Sequence, residues 1–201
     1  MAFFSARNAG LAFMILAVVS ALAAVIMIVL SIMDIDNENF EGLSTPYFII
    51  VAVGSLIAAC LYFAFGKKVK DGEIANKIDI LAQYVKIFGI VYIIGGICNA
   101  VAEAVGKDSV SFGAALVGAV ISIIIGLIVL FIASKINDGK QTTGDKVIWI
   151  ILLILFVLGI IAAVGEIISI ILLPVGICDL LIAVFMLTLL IDPEVKAEMN
   201  M

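Results

Sequence analysis

Residues 147–191 read VIWIILLILFVLGIIAAVGEIISIILLPVGICDLLIAVFMLTLLI, an apolar run of 45 residues whose only charged side chains are Glu166 and Asp179. A single helix of that length would reach about 67 Å, more than twice the ~30 Å hydrocarbon core of a bilayer. The run must therefore fold back on itself, and Glu166, Pro174 and Gly176 predict a turn within residues 165–176. This stretch predicts two successive membrane-spanning helices.

The composition of the whole chain agrees with this interpretation. The 201 residues are 65% hydrophobic and only 13% charged, and their mean hydropathy is +1.36, whereas charged residues make up about 25% of an ordinary soluble domain. We therefore expect an all-α, polytopic integral membrane helix bundle that forms a single transmembrane domain over residues 1–201. Its six predicted transmembrane helices lie at 11–33, 47–65, 87–104, 112–133, 147–164 and 169–191.

The distribution of basic residues predicts the orientation of these helices. With six spans, ten of the eleven lysine and arginine residues lie on one side of the membrane, and Lys107 alone lies on the other. Because basic residues are retained on the cytoplasmic side, both termini are predicted to be cytoplasmic. The expected location is the cytoplasmic membrane of a cell.

Two segments match at an offset of 67 residues, one third of the chain. Residues 68–72 read KVKDG and residues 135–139 read KINDG, and residues 93–97 match residues 160–164 at the same offset. Either the chain is a parallel repeat of helical hairpins, or apolar helices of low complexity match by chance.

Small residues predict where the helices approach one another, because packing in lipid favours side chains that let two backbones come close. In the fourth span such residues recur every four positions, and the third span carries a matching stripe. Either the two stripes belong to contacts inside the bundle, or they mediate self-association. The predicted helix-packing residues are Ala114, Gly118, Ser122, Gly126, Gly96, Ala100 and Ala104.

The connection between the second and third spans, residues 66–86, shows a helical pattern that begins near Asp71. Its apolar side chains fall on one narrow face of a helix, as expected for an amphipathic segment. Three interpretations remain open: a helix lying on the cytoplasmic surface, a third span that protrudes into the cytoplasm, and a docking site for a partner.

Ionisable residues at membrane depth are the usual indicators of function, because a charge near the bilayer centre costs at least ~2.5–3.5 kcal/mol. Asp179 lies in the middle of the sixth span with no lysine or arginine at similar depth. It is either a structural hydrogen-bonding group or a proton or cation site. The candidate intramembrane polar site consists of Asp179, Asn99, Glu103 and Glu166.

Several functional classes are poorly supported by this sequence. The net charge of −5 disfavours nucleic acid as a partner. The absence of histidine removes the commonest general base and metal ligand, so that no catalytic residue, metal site or cofactor is predicted. The three cysteines, Cys60, Cys98 and Cys178, lie far apart in apolar segments and are expected to be buried packing residues.

The lipid bilayer is the expected partner of the chain. Two non-enzymatic functions remain for a protein in that location. The favoured one is an accessory or scaffolding subunit of a membrane assembly, whose partners are other membrane subunits or copies of itself. The alternative is a small-solute transporter or a substrate-binding transport subunit with a proton or cation site at Asp179. A polar, roomy cavity reached from outside would favour the second function.

Overall fold

The computed structural model describes residues 6–33, 45–106, 112–139, 142–168 and 173–201, and within these ranges all regular secondary structure is α-helical. There are seven helices among these residues. Their bounds are α1 (Ala6–Ile32), α2 (Thr45–Lys70), α3 (Lys77–Gly106), α4 (Phe112–Ile136), α5 (Thr143–Ile168), α6 (Leu173–Leu190) and α7 (Pro193–Glu198).

Five of these helices are long and apolar enough to cross a membrane. They run over Ala6–Ile32, Thr45–Lys70, Lys77–Val105, Leu116–Ile136 and Thr143–Ile168. Such helices satisfy every backbone hydrogen bond internally, which the bilayer core requires. The chain is therefore an all-α protein of the membrane-embedded type. The sixth apolar helix, α6, has 18 residues, and a sixth crossing stays a prediction.

The long apolar run at the end of the chain is divided in two. Helix α5 ends at Ile168 and α6 begins at Leu173, inside the interval 165–176 predicted for the turn. Residues 169–172, which separate the two helices in the sequence, lie outside the described residues. Helices α5 and α6 pack against each other, so the run folds back as its length requires.

The described residues group into two compact units. The first comprises Met1–Leu16, Tyr62–Lys86 and Phe131–Met201, and the second comprises Ala17–Leu61 and Ile87–Leu130. Helices α1 to α4 contribute residues to both units, whereas α5, α6 and α7 belong to the first.

An aromatic cluster forms the core of the first unit. The ring of Phe13, which is fully buried, packs edge-on against Phe65 with ring centroids 5.0 Å apart and lies 5.6 Å from Tyr84. Phe156 of α5 and Tyr62 of α2 complete the cluster, each at 6.1 Å from one of these rings. Aromatic pairs at such distances stabilise a core beyond the effect of the area that they bury.

The cluster rests on a close approach of α1 and α2 at two glycines. A β-carbon added to Gly10 would lie 2.6 Å from the carbonyl oxygen of Gly66, and one added to Gly66 would lie 2.7 Å from the carbonyl oxygen of Gly10. The backbones of the two helices therefore touch where both side chains are missing. Neither glycine belongs to a regular stripe of small residues, so the sequence alone does not indicate this contact.

The predicted amphipathic segment is divided between two helices. Gly72 adopts a left-handed conformation, with φ of 77°, and its N–H donates to the carbonyl oxygen of Val69. This conformation terminates α2. The expected helix start near Asp71 is therefore wrong, because the Asp71–Gly72 pair terminates a helix instead of beginning one. Helix α3 begins at Lys77 and runs without interruption to Gly106, so the part of the segment from Lys77 onward is continuous with the third predicted span, while its position relative to the membrane stays a prediction. The apolar side chains of the segment are buried in the first unit, namely Ile74, Ile78, Leu81 and Val85.

A short seventh helix closes the chain. Asp192 caps its N-terminus by accepting a hydrogen bond from the backbone N–H of Glu194, and Pro193 occupies the first turn. The side chains of Val195 and Met199 are 1% and 2% exposed. Residues 193–199, which follow the last predicted span, are therefore packed in the first unit.

Candidate functional site

The structure brings together two of the predicted intramembrane carboxyl groups. Asp179 of α6 and Glu166 of α5 lie within hydrogen-bonding range of each other. Oε2 of Glu166 is buried and has no hydrogen-bond partner among the described residues. Neither acid takes part in the ion pairs formed by the described residues. The pair is therefore a polar site between two apolar helices.

A glycine accounts for the short distance between the two acids. A β-carbon added to Gly176 would lie 2.8 Å from the amide nitrogen of Ile167, 2.9 Å from Cβ of Glu166 and 3.0 Å from the carbonyl oxygen of Ala163. At Gly176 the first turns of α6 therefore pack directly against the last turns of α5. Asp179 follows three residues later on the same face of α6 and so meets Glu166.

Two tyrosines that the sequence did not indicate as site residues lie near Asp179. They are Tyr62 of α2 and Tyr84 of α3. Both rings also belong to the aromatic cluster. No local pattern indicates this arrangement, because the four residues come from four different helices.

The other two candidate residues, Asn99 and Glu103, lie on α3 in the second unit. At 100° per residue, they and Tyr92 fall within about 40° of one another on the helix. Asn99 is exposed and Glu103 is half-buried, and the side chain of Tyr92 is 40% exposed. Helix α3 therefore carries a polar face, which we call the Tyr92 face.

The apolar exposed face of α3 points in another direction. Ile97, Val101 and Val105 are all more than two-fifths exposed and lie on the opposite side of the helix from the Tyr92 face, about 180° away. An apolar face of this kind suits lipid. The Tyr92 face does not, because an amide at membrane depth needs a hydrogen-bond partner.

The small residues of α3 and α4 meet at two places in the second unit. A β-carbon on Gly96 would clash with the side chain of Ser122, and one on Gly126 would clash with the side chain of Ile93. One on Gly118 would meet no atom within 4 Å. The stripe of α4 is therefore in contact with α3 over part of its length. Of the remaining predicted packing residues, Ala100 is half-buried, Ala104 is exposed, and the side chain of Ala114 lies outside the described residues.

The larger of the two best-defined cavities in the described residues is apolar. Its volume is about 350 Å³, and it opens between α1 and α6 in the first unit, with Asn8 as the one strongly polar residue in its lining. Sites for polar solutes normally carry several convergent polar groups. This cavity is therefore unlike the polar, roomy cavity that would favour transport.

The smaller cavity, of about 270 Å³, lies where α4 ends and α5 begins. Most of its polar lining is engaged within the protein: Lys135 contacts Asp138 at 2.8 Å, and Asn137 donates to Asp79. Asp145, which is 4% exposed, accepts hydrogen bonds from the backbone and the hydroxyl of Thr142 in a capping arrangement. These groups thus stabilise the ends of the helices.

The structure also shows the surroundings of the cysteines and of Trp149. Cys60 is exposed, so the expectation that all three cysteines are buried is wrong for this residue, while Cys178 is buried and Cys98 is half-buried. Cys60 lies on an outward face of α2. An apolar side chain is stable on such a face when the face contacts lipid tails. Trp149 donates from Nε1 to the carbonyl oxygen of Leu190 at 2.9 Å, and Nζ of Lys196 lies 5.6 Å from the centroid of its ring. Trp149 therefore joins α5 to the end of the chain.

Comparison with known proteins assigns no family to this chain: no protein-family model, no curated protein and no solved structure matches it. Among the described residues, no group of three or more cysteine, aspartate or glutamate side chains is arranged to hold a metal ion.

Proposed function

We propose that this chain is a multi-pass accessory or scaffolding subunit of a membrane assembly, with no catalytic site of its own. The single observation that carries the proposal is the Tyr92 face of α3. Asn99 lies six residues from the end of an apolar span, about 9 Å along the helix, and its side chain is exposed.

An exposed amide at this depth has a specific physical consequence. Lipid tails offer no hydrogen bond, so the amide is stabilised when a side chain or backbone of another helix pairs with it. Gly95, on the same side of α3, leaves room for a close approach, because a β-carbon there would meet no atom within 4 Å. Shape and polarity thus both favour a helix of another polypeptide on this face.

The proposed topology has six spans with both termini in the cytoplasm, in the cytoplasmic membrane of a cell. The repeat of helical hairpins belongs to the same proposal. It is supported by Gly72 and Gly139, which occupy equivalent positions at the offset of 67 residues and both adopt a left-handed conformation, with φ of 77° and 69°. Residues 78, 81 and 85 are buried, and so are residues 145, 148 and 152 at the same offset.

The proposal is tested by extraction in a mild detergent followed by native mass measurement. We expect wild-type protein to retain a second polypeptide, either another subunit or another copy. Replacing Asn99 with leucine should release it, whereas Ile97→Ala, a change on the apolar face of the same helix, should not. A wild-type protein that is always a lone monomer, or an assembly that is indifferent to Asn99→Leu, would overturn the proposal.

A second candidate function is small-solute transport, or substrate binding for a transporter, with a proton or cation site at Asp179. The observation that favours it is the juxtaposition of Asp179 with Glu166, whose Oε2 is buried without a partner among the described residues. Ionisable groups inside membrane bundles commonly mark ion pathways. Flux that depends on pH in proteoliposomes, lost in Asp179→Asn, would support this function, and a wild type without any such flux would exclude it.

A further inference from the structure

The arrangement of Asp179 and Glu166 indicates which of the two ligands, a proton or another cation, this site binds. The two carboxyl groups lie within hydrogen-bonding range, and a carboxylate is an acceptor only. Two ionised carboxylates at such a distance repel each other and have no hydrogen bond to share. A direct contact between two acids is favourable only when one of them carries a proton and donates a hydrogen bond to the other.

The buried oxygen of Glu166 supplies an independent observation. Its Oε2 atom is excluded from solvent and receives no hydrogen bond from any donor among the described residues. A buried acceptor without a donor is costly, and the missing component is a donor. A proton held on the neighbouring carboxyl group of Asp179 would give the pair a donor without any further atom.

The surroundings of the pair determine which ligand fits. The described titratable groups around Asp179 are Tyr62 on α2, Tyr84 on α3, Glu166 on α5 and its neighbour Cys178 on α6. All of these are neutral or anionic groups, and none is a cation. A divalent metal such as Ca²⁺ requires six to eight oxygen ligands, and among the described residues no group of three acids or cysteines is arranged around one.

We infer that Asp179 and Glu166 form a proton-binding pair that holds one shared proton between α5 and α6. This names the ligand of the site on which the transport alternative rests, but it does not require that the proton moves across the membrane. The pair carries one negative charge when the proton is bound and two when it is lost. Loss of the proton leaves two like charges next to each other, which disfavours the fully ionised pair.

A hydrophobic carbodiimide tests the inference, because it reacts with a protonated carboxyl group in an apolar environment. The reagent adds to the acid without a leaving group and, after rearrangement, stays attached to it as an N-acylurea, which mass spectrometry of peptides locates. The probe is applied to the intact protein in membranes over a series of pH values. It measures the presence of the proton and needs neither transport activity nor a partner subunit.

We expect labelling at Asp179 or Glu166 near neutral pH, and less labelling as the pH rises and the proton is lost. The variants Asp179→Asn and Glu166→Gln each keep the size of the side chain and the hydrogen bond, because an amide donates to the remaining carboxylate. That carboxylate needs no proton, so labelling at the pair should fall at least tenfold in either variant. Glu103→Gln is the matched control, because it removes a carboxyl group from α3 instead. It should leave labelling of the pair unchanged.

Three results would overturn the inference. Absence of labelling at both acids in wild-type protein whose thermal unfolding shows that it is folded would mean that the pair holds no proton. Labelling of the remaining acid in both single variants at the wild-type level would mean that each carboxyl is protonated independently. Protection of the wild type by sodium or calcium ions at constant pH would identify a metal cation as the ligand instead.

Discussion

Nζ of Lys77, the first residue of α3, donates to Oδ2 of Asp192 at 2.8 Å and lies 2.9 Å from Oε2 of Glu194. One ammonium group thus joins the start of the third helix to the two acidic residues that begin α7. With the contact of Lys196 and Trp149, it fixes the end of the chain in the first unit. The chain terminus is thereby part of the folded protein.

The bond between Lys77 and Asp192 predicts a pH dependence of stability. The hydrogen bond from Lys77 lowers the pKa of Asp192 below its usual value. A lowered pKa means that the contribution to stability is fully present above the usual pKa of about 3.9 and is lost as the pH falls through the lower value in the folded protein. Replacing Lys77 with methionine should therefore lower the midpoint of thermal unfolding in detergent near neutral pH, and should have little effect near pH 2.

A second lysine of α3 provides the control for this prediction. Lys86 is exposed and takes part in none of the ion pairs found among the described residues, so Lys86→Met should leave the midpoint unchanged at both pH values. An equal effect of Lys77→Met at neutral and at acidic pH would show that the ion pair does not stabilise the protein.

The two methionines at the end of the chain should respond differently to truncation. Met199 is 2% exposed and Met201 is 46% exposed. Met199→Ala removes buried side-chain atoms and should destabilise the protein by roughly 2–5 kcal/mol, the range for large-to-small changes in a core. Met201→Ala should be close to neutral. Chemical denaturation of both variants in the same detergent measures the difference, and equal stabilities would contradict the docking of α7.

Adjacent glycines of α3 give a matched pair for the packing of the second unit. A β-carbon on Gly96 clashes with Ser122 of α4, whereas one on Gly95 meets no atom within 4 Å. Gly96→Ala should therefore lower the stability of the protein. Gly95→Ala should raise it slightly, because alanine favours a helix by about 0.8–1 kcal/mol over glycine. Thermal unfolding of the two variants separates these outcomes, and a stabilising Gly96→Ala would exclude the contact.

The contact of Gly10 and Gly66 in the first unit can be tested in the same way. Each added methyl group would meet backbone atoms of the facing helix, which cannot move aside as a flexible side chain can. Gly10→Ala and Gly66→Ala should each destabilise the protein by at least 1 kcal/mol, in the usual range for overpacking. Gly165→Ala on α5, where a β-carbon meets nothing within 4 Å, is the control, and its stability should equal or exceed that of the wild type.

The sequence predicted the membrane-embedded helical architecture because hydropathy is a local property. Twenty consecutive apolar residues indicate a spanning helix whatever surrounds them, and the described helices contain the apolar cores of the first five predicted spans. The sequence also identified Asp179 and Glu166 as unusual, because a charged residue is conspicuous in an apolar run. It did not predict α7, although Asp192 and Pro193 form a recognisable helix start.

The arrangement of the side chains was decided by the tertiary structure alone. Tyr62, Tyr84, Glu166 and Asp179 come from four helices, and the approach of two of those helices depends on Gly176, one small residue among many. Gly95 and Gly96 are adjacent in the sequence, yet of the two only Gly96 meets a neighbouring helix. Hydropathy along the chain determines which segments enter the lipid, because each residue contributes independently. It carries no information about the rotation of one helix against the next, which depends on contacts between residues far apart in the chain.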